Sequence, residues 1–282
     1  MRNLSPTQCT GTDTFAAQHT TNMATALITG ASNGIGLELA RIHAAKGDNL
    51  VLVARSADKL LELKAELEKQ FGIKVLTLAR DLSAPDAAKE VYEATLQQGI
   101  VIDYLINNAG FGDFGLFIET DWDKERRMID LNITTLTLFT KLYLKDMVQR
   151  GSGRIMNVAS TAAFQSGPTM AVYFATKAYV LSFSEAIDNE VREKGVTVTT
   201  LCPGPTDTGF VAAAALEESP LFKRTKPASA RAVAEYGYKA MMAGKTVAIQ
   251  GLLNYIVANS VRFVPRSLVV KITRKAQDID RK

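Results

Sequence analysis

Residues 24–36 read Ala-Thr-Ala-Leu-Ile-Thr-Gly-Ala-Ser-Asn-Gly-Ile-Gly, and their order decides the fold. A compact apolar run (24–29) closes on Gly30. Gly34 and Gly36 follow, in the spacing G-x-x-x-G-x-G. Ile35, Leu39, Ile42 and Ala45 then recur at helical spacing until Gly47 stops them. The pattern is that of a strand, a tight turn and a helix. Glycines in such a turn let the backbone bend sharply, come close to a ligand and pack the helix on the strand. The helix N-terminus offers free N–H groups and a positive dipole end, so a pyrophosphate fits there.

Working outward, the same alternation repeats. Apolar runs occur at 49–54, 74–79, 101–107, 153–160, 196–202 and 246–250, with amphipathic stretches between them such as 60–71. Short runs buried on both faces and separated by helices give parallel βαβ units. The expected fold class is therefore α/β: a single-domain, doubly wound Rossmann fold. Its mostly parallel sheet should have the order 3-2-1-4-5-6-7, with helices on both faces. Without a second break in composition, one domain is expected over residues 23–282, ending in a basic helical segment (251–282). Residues 1–22 are rich in Thr, Gln and Asn and lack an apolar period, so they are expected to be a flexible tail.

The 282 residues are 47% hydrophobic and 22% charged, which suits a globular core and excludes a disordered or fibrous chain. No apolar run is long enough for a spanning helix. Cys9 and Cys202 are too few and too far apart for a disulfide framework, which fits a reducing, cytoplasmic location. With only His19 and His43, no cluster has metal-ligand spacing, so no metal is expected. A nucleic-acid motif is also lacking.

Further along the chain come Asp81 after the third run, Asn107-Asn108-Ala109-Gly110 after the fourth and Asn132 in the next helix. Ser160 ends the fifth run, Tyr173-Phe174-Ala175-Thr176-Lys177 follows, and Pro203-Gly204 closes the sixth, with Thr208 beyond it. Over residues 24–210 the sequence resembles the short-chain dehydrogenase/reductase family. The resemblance implies a nicotinamide dinucleotide as cofactor. Gly30, Ser32, Asn33, Gly34, Ile35 and Gly36 would hold the pyrophosphate, and Asp81 and Leu82 would lie near the adenine. Asn108, Ala109 and Gly110 would line the cofactor site. Pro203, Gly204, Thr206 and Thr208 would flank the nicotinamide end. Asn132, Ser160, Tyr173 and Lys177 are implied as the catalytic set, with Tyr173 and Lys177 also touching the cofactor and Asn132 holding a water that links Lys177 to solvent.

Tyr173 and Lys177 are four apart in a helical stretch and share a face. A phenol is a poor base at neutral pH, and a nearby ammonium is expected to lower its pKa and make it a usable acid/base. The Ser160 hydroxyl can hydrogen-bond a substrate carbonyl as negative charge develops. The reaction implied is hydride transfer between nicotinamide and a carbonyl or secondary alcohol. The competing reading is a non-catalytic NADPH-binding regulatory protein on the same fold. Retention of Ser160, Tyr173, Lys177 and Asn132 weighs against it.

Ala54 leaves the end of the second run without a carboxylate for a ribose 2′-hydroxyl, and Arg55 can pair with a 2′-phosphate, so NADP(H) is expected over NAD(H). Residues 211–222, rich in Ala, Leu and Phe, are expected to form a lid over an apolar pocket. The substrate is thus expected to be hydrophobic: a ketone, a 3-oxoacyl compound or a sterol-like molecule. Apolar stripes in 121–149 and 170–194 could serve a homodimer or homotetramer. From Lys223 onward 13 basic residues stand against 3 acidic ones. This basic, partly apolar end reads as a solvated helix face, or as a surface for a membrane or an acyl carrier.

Overall fold

The computed structural model of the protein describes residues 23–208 and 227–277. The expected tail (1–22) and lid (211–222) lie outside the described residues. Seven strands form one sheet: β1 (Thr25–Thr29), β2 (Asn49–Ala54), β3 (Val75–Ala79), β4 (Tyr104–Asn107), β5 (Gly153–Val158), β6 (Val196–Cys202) and β7 (Val247–Ile249). Their order is 3-2-1-4-5-6-7 with every pairing parallel, as the sequence pattern predicts.

The central position of β1 explains why all five of its residues are buried. Its side chains alternate between two layers. Ala26 and Ile28 pack with residues of α1 (Gly34–Ala45), α2 (Ala57–Phe71) and α7 (Ala230–Met242). Leu27 packs toward α3 (Ala87–Gln97) and α5 (Leu136–Arg150). The helix α4 (Trp122–Ile129) leads into α5, and the long α6 (Ala171–Val191) lies ahead of β6. Beyond β7 come α8 (Leu252–Ser260) and α9 (Arg266–Gln277). No helix among the described residues is long and apolar enough to cross a membrane.

One buried carboxylate ties three elements together. Asp188 of α6 accepts hydrogen bonds from the Val198 N–H (2.9 Å), the Thr246 hydroxyl (2.7 Å) and the Arg192 guanidinium (2.6 Å). Removing it strands three donors at the junction of α6, β6 and the approach to β7. Asp188→Ala is expected to cost about 3 kcal/mol of stability, measured by urea unfolding. A loss well under about 1 kcal/mol would mean that water replaces the carboxylate.

Candidate active site

Strand order reverses direction between β1 and β4, so the loops at their carboxyl ends diverge and leave a crevice. A cleft of 680 Å³ opens there. Its walls come from the loop after β1, Arg55 after β2, Asp81 and Leu82 after β3, and Asn108 to Gly110 after β4. Ser160 after β5, Tyr173 and Lys177 of α6, and Pro203, Gly204, Thr206 and Thr208 after β6 complete them. Two of the expected site residues, Gly36 and Asn132, stand behind the wall rather than on it.

Gly30 adopts φ +67°, the left-handed region that glycine enters without strain. Gly36 is needed for another reason. A Cβ there would collide with the Gly30 carbonyl oxygen and with Asn108 Nδ2. Gly36 thus acts by letting α1 close on the turn. Asn108 braces the turn from β4, donating through Nδ2 to the carbonyls of Thr29 (2.9 Å) and Gly30 (3.3 Å). The Thr29 hydroxyl accepts from the backbone N–H groups of Asn108 and Ala109, 3.0 Å each. Asn33 differs in part from its expected role: its Oδ1 accepts from the Gly34 N–H (2.7 Å), so it caps α1 as well as lining the cleft. Thr208 packs against Gly34 from the opposite wall.

Ser160 follows β5 and caps the short 3₁₀ turn Thr161–Phe164, accepting from the Ala162 N–H at 3.1 Å. The cap fixes the hydroxyl, which also hydrogen-bonds Tyr173. Burial pushes the Tyr173 phenol up to about 12, and the bond to Ser160 opposes that rise. Lys177 is 5% exposed, with Nζ 5.8 Å from the Tyr173 ring centroid and 2.9 Å from the Val158 carbonyl oxygen to which it donates. Burial pulls its ammonium down to about 8, while the neighbouring Cys202 thiol acts in the other direction. The expected lowering of the tyrosine by the lysine is therefore not the dominant effect here. Burial is the dominant effect and favours the neutral phenol.

Asn132 lies in a π-helical turn (Asp130–Thr135) between α4 and α5, not in regular helix. Its Nδ2 donates to the Phe111 carbonyl (3.0 Å) and the Thr176 hydroxyl (3.1 Å), and its Oδ1 accepts from the Phe111 N–H at 3.3 Å. Through these bonds its amide holds the loop after β4 against α6. Lys177 Nζ and Asn132 Oδ1 both lie close to Gly110.

In the loop after β3, burial opposes ionisation of Asp81. Two hydrogen bonds from Ser83 and the charges of Arg55 and Arg127 outweigh it and hold the carboxyl below its ordinary range. Arg55 is exposed on the cleft rim, next to the buried Ala54.

Sequence reasoning missed Lys124, Arg127, Met170 and Gln277, which also line the cleft. Gln277 is the furthest removed in sequence. It sits on the last turn of α9, is 2% exposed, and its Oε1 has no hydrogen-bond partner. The one signal for it is polarity in phase: Thr273 and Gln277, four apart, are the two buried residues of an otherwise exposed helix.

Known proteins resemble the chain in sequence and in fold. A family profile described as short chain dehydrogenase matches residues 24–219. A very-long-chain 3-oxoacyl-CoA reductase of Rattus norvegicus is 32% identical over 182 residues, covering 63% of this chain and 58% of that protein. The chain thus spans less than two thirds of that relative's length. A 7beta-hydroxysteroid dehydrogenase of Collinsella aerofaciens is 32% identical over 180 residues, covering 64% of this chain and 68% of its own. Among solved structures, a short-chain dehydrogenase from Sphingobium yanoikuyae in complex with NADPH superposes with a TM-score of 0.77 at 30% identity. It covers 92% of this chain and 100% of the other.

Proposed function

The chain belongs to the short-chain dehydrogenase family, and on that footing we propose that it reduces a carbonyl on a hydrophobic substrate with NADPH, Tyr173 giving the proton. The observation that carries this reading is the meeting of Ser160, Tyr173 and Lys177 at one cleft beside a glycine turn built for a pyrophosphate. The donor set fits a nicotinamide dinucleotide: the N-terminus of α1 at Gly34, a rim guanidinium at Arg55 and a buried ammonium at Lys177. When bound, the nicotinamide supplies the hydride.

The protein's own groups do the rest. Ser160 holds the substrate oxygen and stabilises its growing negative charge. Tyr173, protonated because it is buried, donates its proton to that oxygen. Lys177 anchors the ribose hydroxyls and keeps a positive charge near the phenol. Asn132 acts through others, as a positioning residue for α6 and the loop after β4. The names of the relatives, a very-long-chain 3-oxoacyl-CoA reductase and a hydroxysteroid dehydrogenase, support an apolar substrate. A panel of 3-oxoacyl thioesters, ketosteroids and bulky aryl ketones, followed by NADPH oxidation, tests the reading. Turnover of none of them would refute it.

The preference for NADPH rests on Ala54 and Arg55 and is supported by the NADPH complex of the Sphingobium relative. Arg55→Ala is expected to weaken NADPH binding about thirtyfold, the worth of a charge-assisted phosphate contact, and to leave NADH affinity nearly unchanged. Fluorescence titration with both nucleotides reads this out. Tighter binding of NADH than NADPH to the wild type would overturn the preference.

A further inference from the structure

The end of the described chain exposes an unusual amount of apolar surface. On α8, Leu252 and Leu253 are 76% and 73% exposed, Tyr255, Ile256 and Val257 are exposed too, and Ala258 is its one buried residue. Phe263, in the turn that follows, is 88% exposed, and Leu268 and Ile272 stand in water one helical turn apart on α9. A helix apolar around most of its circumference is ordinarily buried, and exposed apolar surface on this scale marks an interaction site. The charges in the same segment all have one sign. From Leu252 to Gln277 there are Arg262, Arg266, Lys271, Arg274 and Lys275, and no acidic residue.

We propose that α8 and α9 seat the protein on an anionic phospholipid surface, the apolar side chains entering the acyl boundary and the cations meeting the headgroups. The sign of the charge selects this occupant. A second copy docked face to face would bring five cations against five more. Nucleic acid would pair with the cations but leave Leu252, Leu253 and Phe263 in water. An anionic bilayer satisfies both halves of the surface at once. The placement also bears on the site described above. The helix that would face the lipid ends at Gln277, whose side chain lines the catalytic cleft with an unpartnered Oε1. If the substrate is hydrophobic, as proposed for this site, the bilayer is where it concentrates, and the cleft is reached along α9. Lipid binding itself does not depend on that substrate reading.

Sedimentation of the full chain with vesicles tests the proposal, using phosphatidylcholine alone and phosphatidylcholine mixed with phosphatidylglycerol, each at low and high salt. Binding is expected to the mixed vesicles, to weaken with salt and to be slight on phosphatidylcholine alone. Each headgroup-level cation is worth about a factor of five, so Arg266→Gln combined with Lys271→Gln should weaken partitioning roughly thirtyfold. Leu252→Ser combined with Leu253→Ser should also release the protein. All four positions are exposed and outside the catalytic machinery, so both variants should keep wild-type NADPH affinity, which shows that they are folded. Absence of binding to the mixed vesicles, equal binding to both vesicle types, or a solution dimer that the leucine pair abolishes would each overturn the proposal. A lipid-binding protein that reduces none of the carbonyl panel would leave this inference standing and remove the catalytic one.

Discussion

Tyr173→Phe is expected to lower kcat by about a thousandfold or more while changing the Kd for NADPH by less than about threefold. The substitution removes one oxygen. Ser160 keeps its bond from the Ala162 N–H, so the turn after β5 should hold its shape. The lost interaction, proton donation to the substrate oxygen, exists only as the reaction proceeds, so kcat and kcat/KM should fall together. Single-turnover NADPH oxidation on a verified substrate measures the first quantity and fluorescence titration the second. Turnover within about tenfold of wild type would take the proton-donor role from Tyr173, because a general acid contributes more than that.

The sheet was legible because its strands are buried on both faces and stand out as unbroken apolar runs. For β2 and β6 the runs and the strands coincide. The run 101–107 lost its first three residues to a turn in which Val101 is exposed and the Asp103 carboxylate accepts from the Thr25 N–H. The site was legible for a topological reason. All of its motifs but Asn132 and the Tyr173–Lys177 pair follow a strand, and a parallel sheet brings such ends to one edge. Gln277 and Lys124 were not legible, because helices remote from the motifs deliver them. The sequence places Asn132 in a helix, but spacing does not reveal that the turn is a π turn. The ionisation of Tyr173 is hidden from the sequence for a similar reason. Proximity to Lys177 follows from spacing, whereas the depth of burial that controls its ionisation is a property of the packed fold.

The same burial makes Lys177 expensive to keep. Lys177→Met is therefore expected to have two opposite effects: turnover falls by about a hundredfold or more, and the protein becomes more stable at neutral pH. The unfolded chain holds the lysine proton up to its ordinary value of 10.5, while the folded chain releases it near 8. Between those values the unfolded state binds more protons, so wild-type stability rises with pH across the window, and below about 8 the full penalty is present. At pH 7 that penalty is of the order of 3 kcal/mol. Methionine fills a similar volume without charge but forfeits the charge-assisted bond to the Val158 carbonyl, a loss of about 2 kcal/mol. A net gain of about 1 kcal/mol remains, and it should shrink as pH rises from 8 toward 10.5. Urea unfolding at a series of pH values measures it. A variant less stable than wild type at pH 7 would mean that the bonds to the ammonium outweigh its desolvation. In the wild type the same titration should appear in catalysis: kcat/KM for reduction falls as pH rises through about 8, because the lysine loses its charge while Tyr173 still holds its proton. A profile flat from pH 7 to 10 would detach the charge of Lys177 from the reaction, leaving it only the ribose to hold.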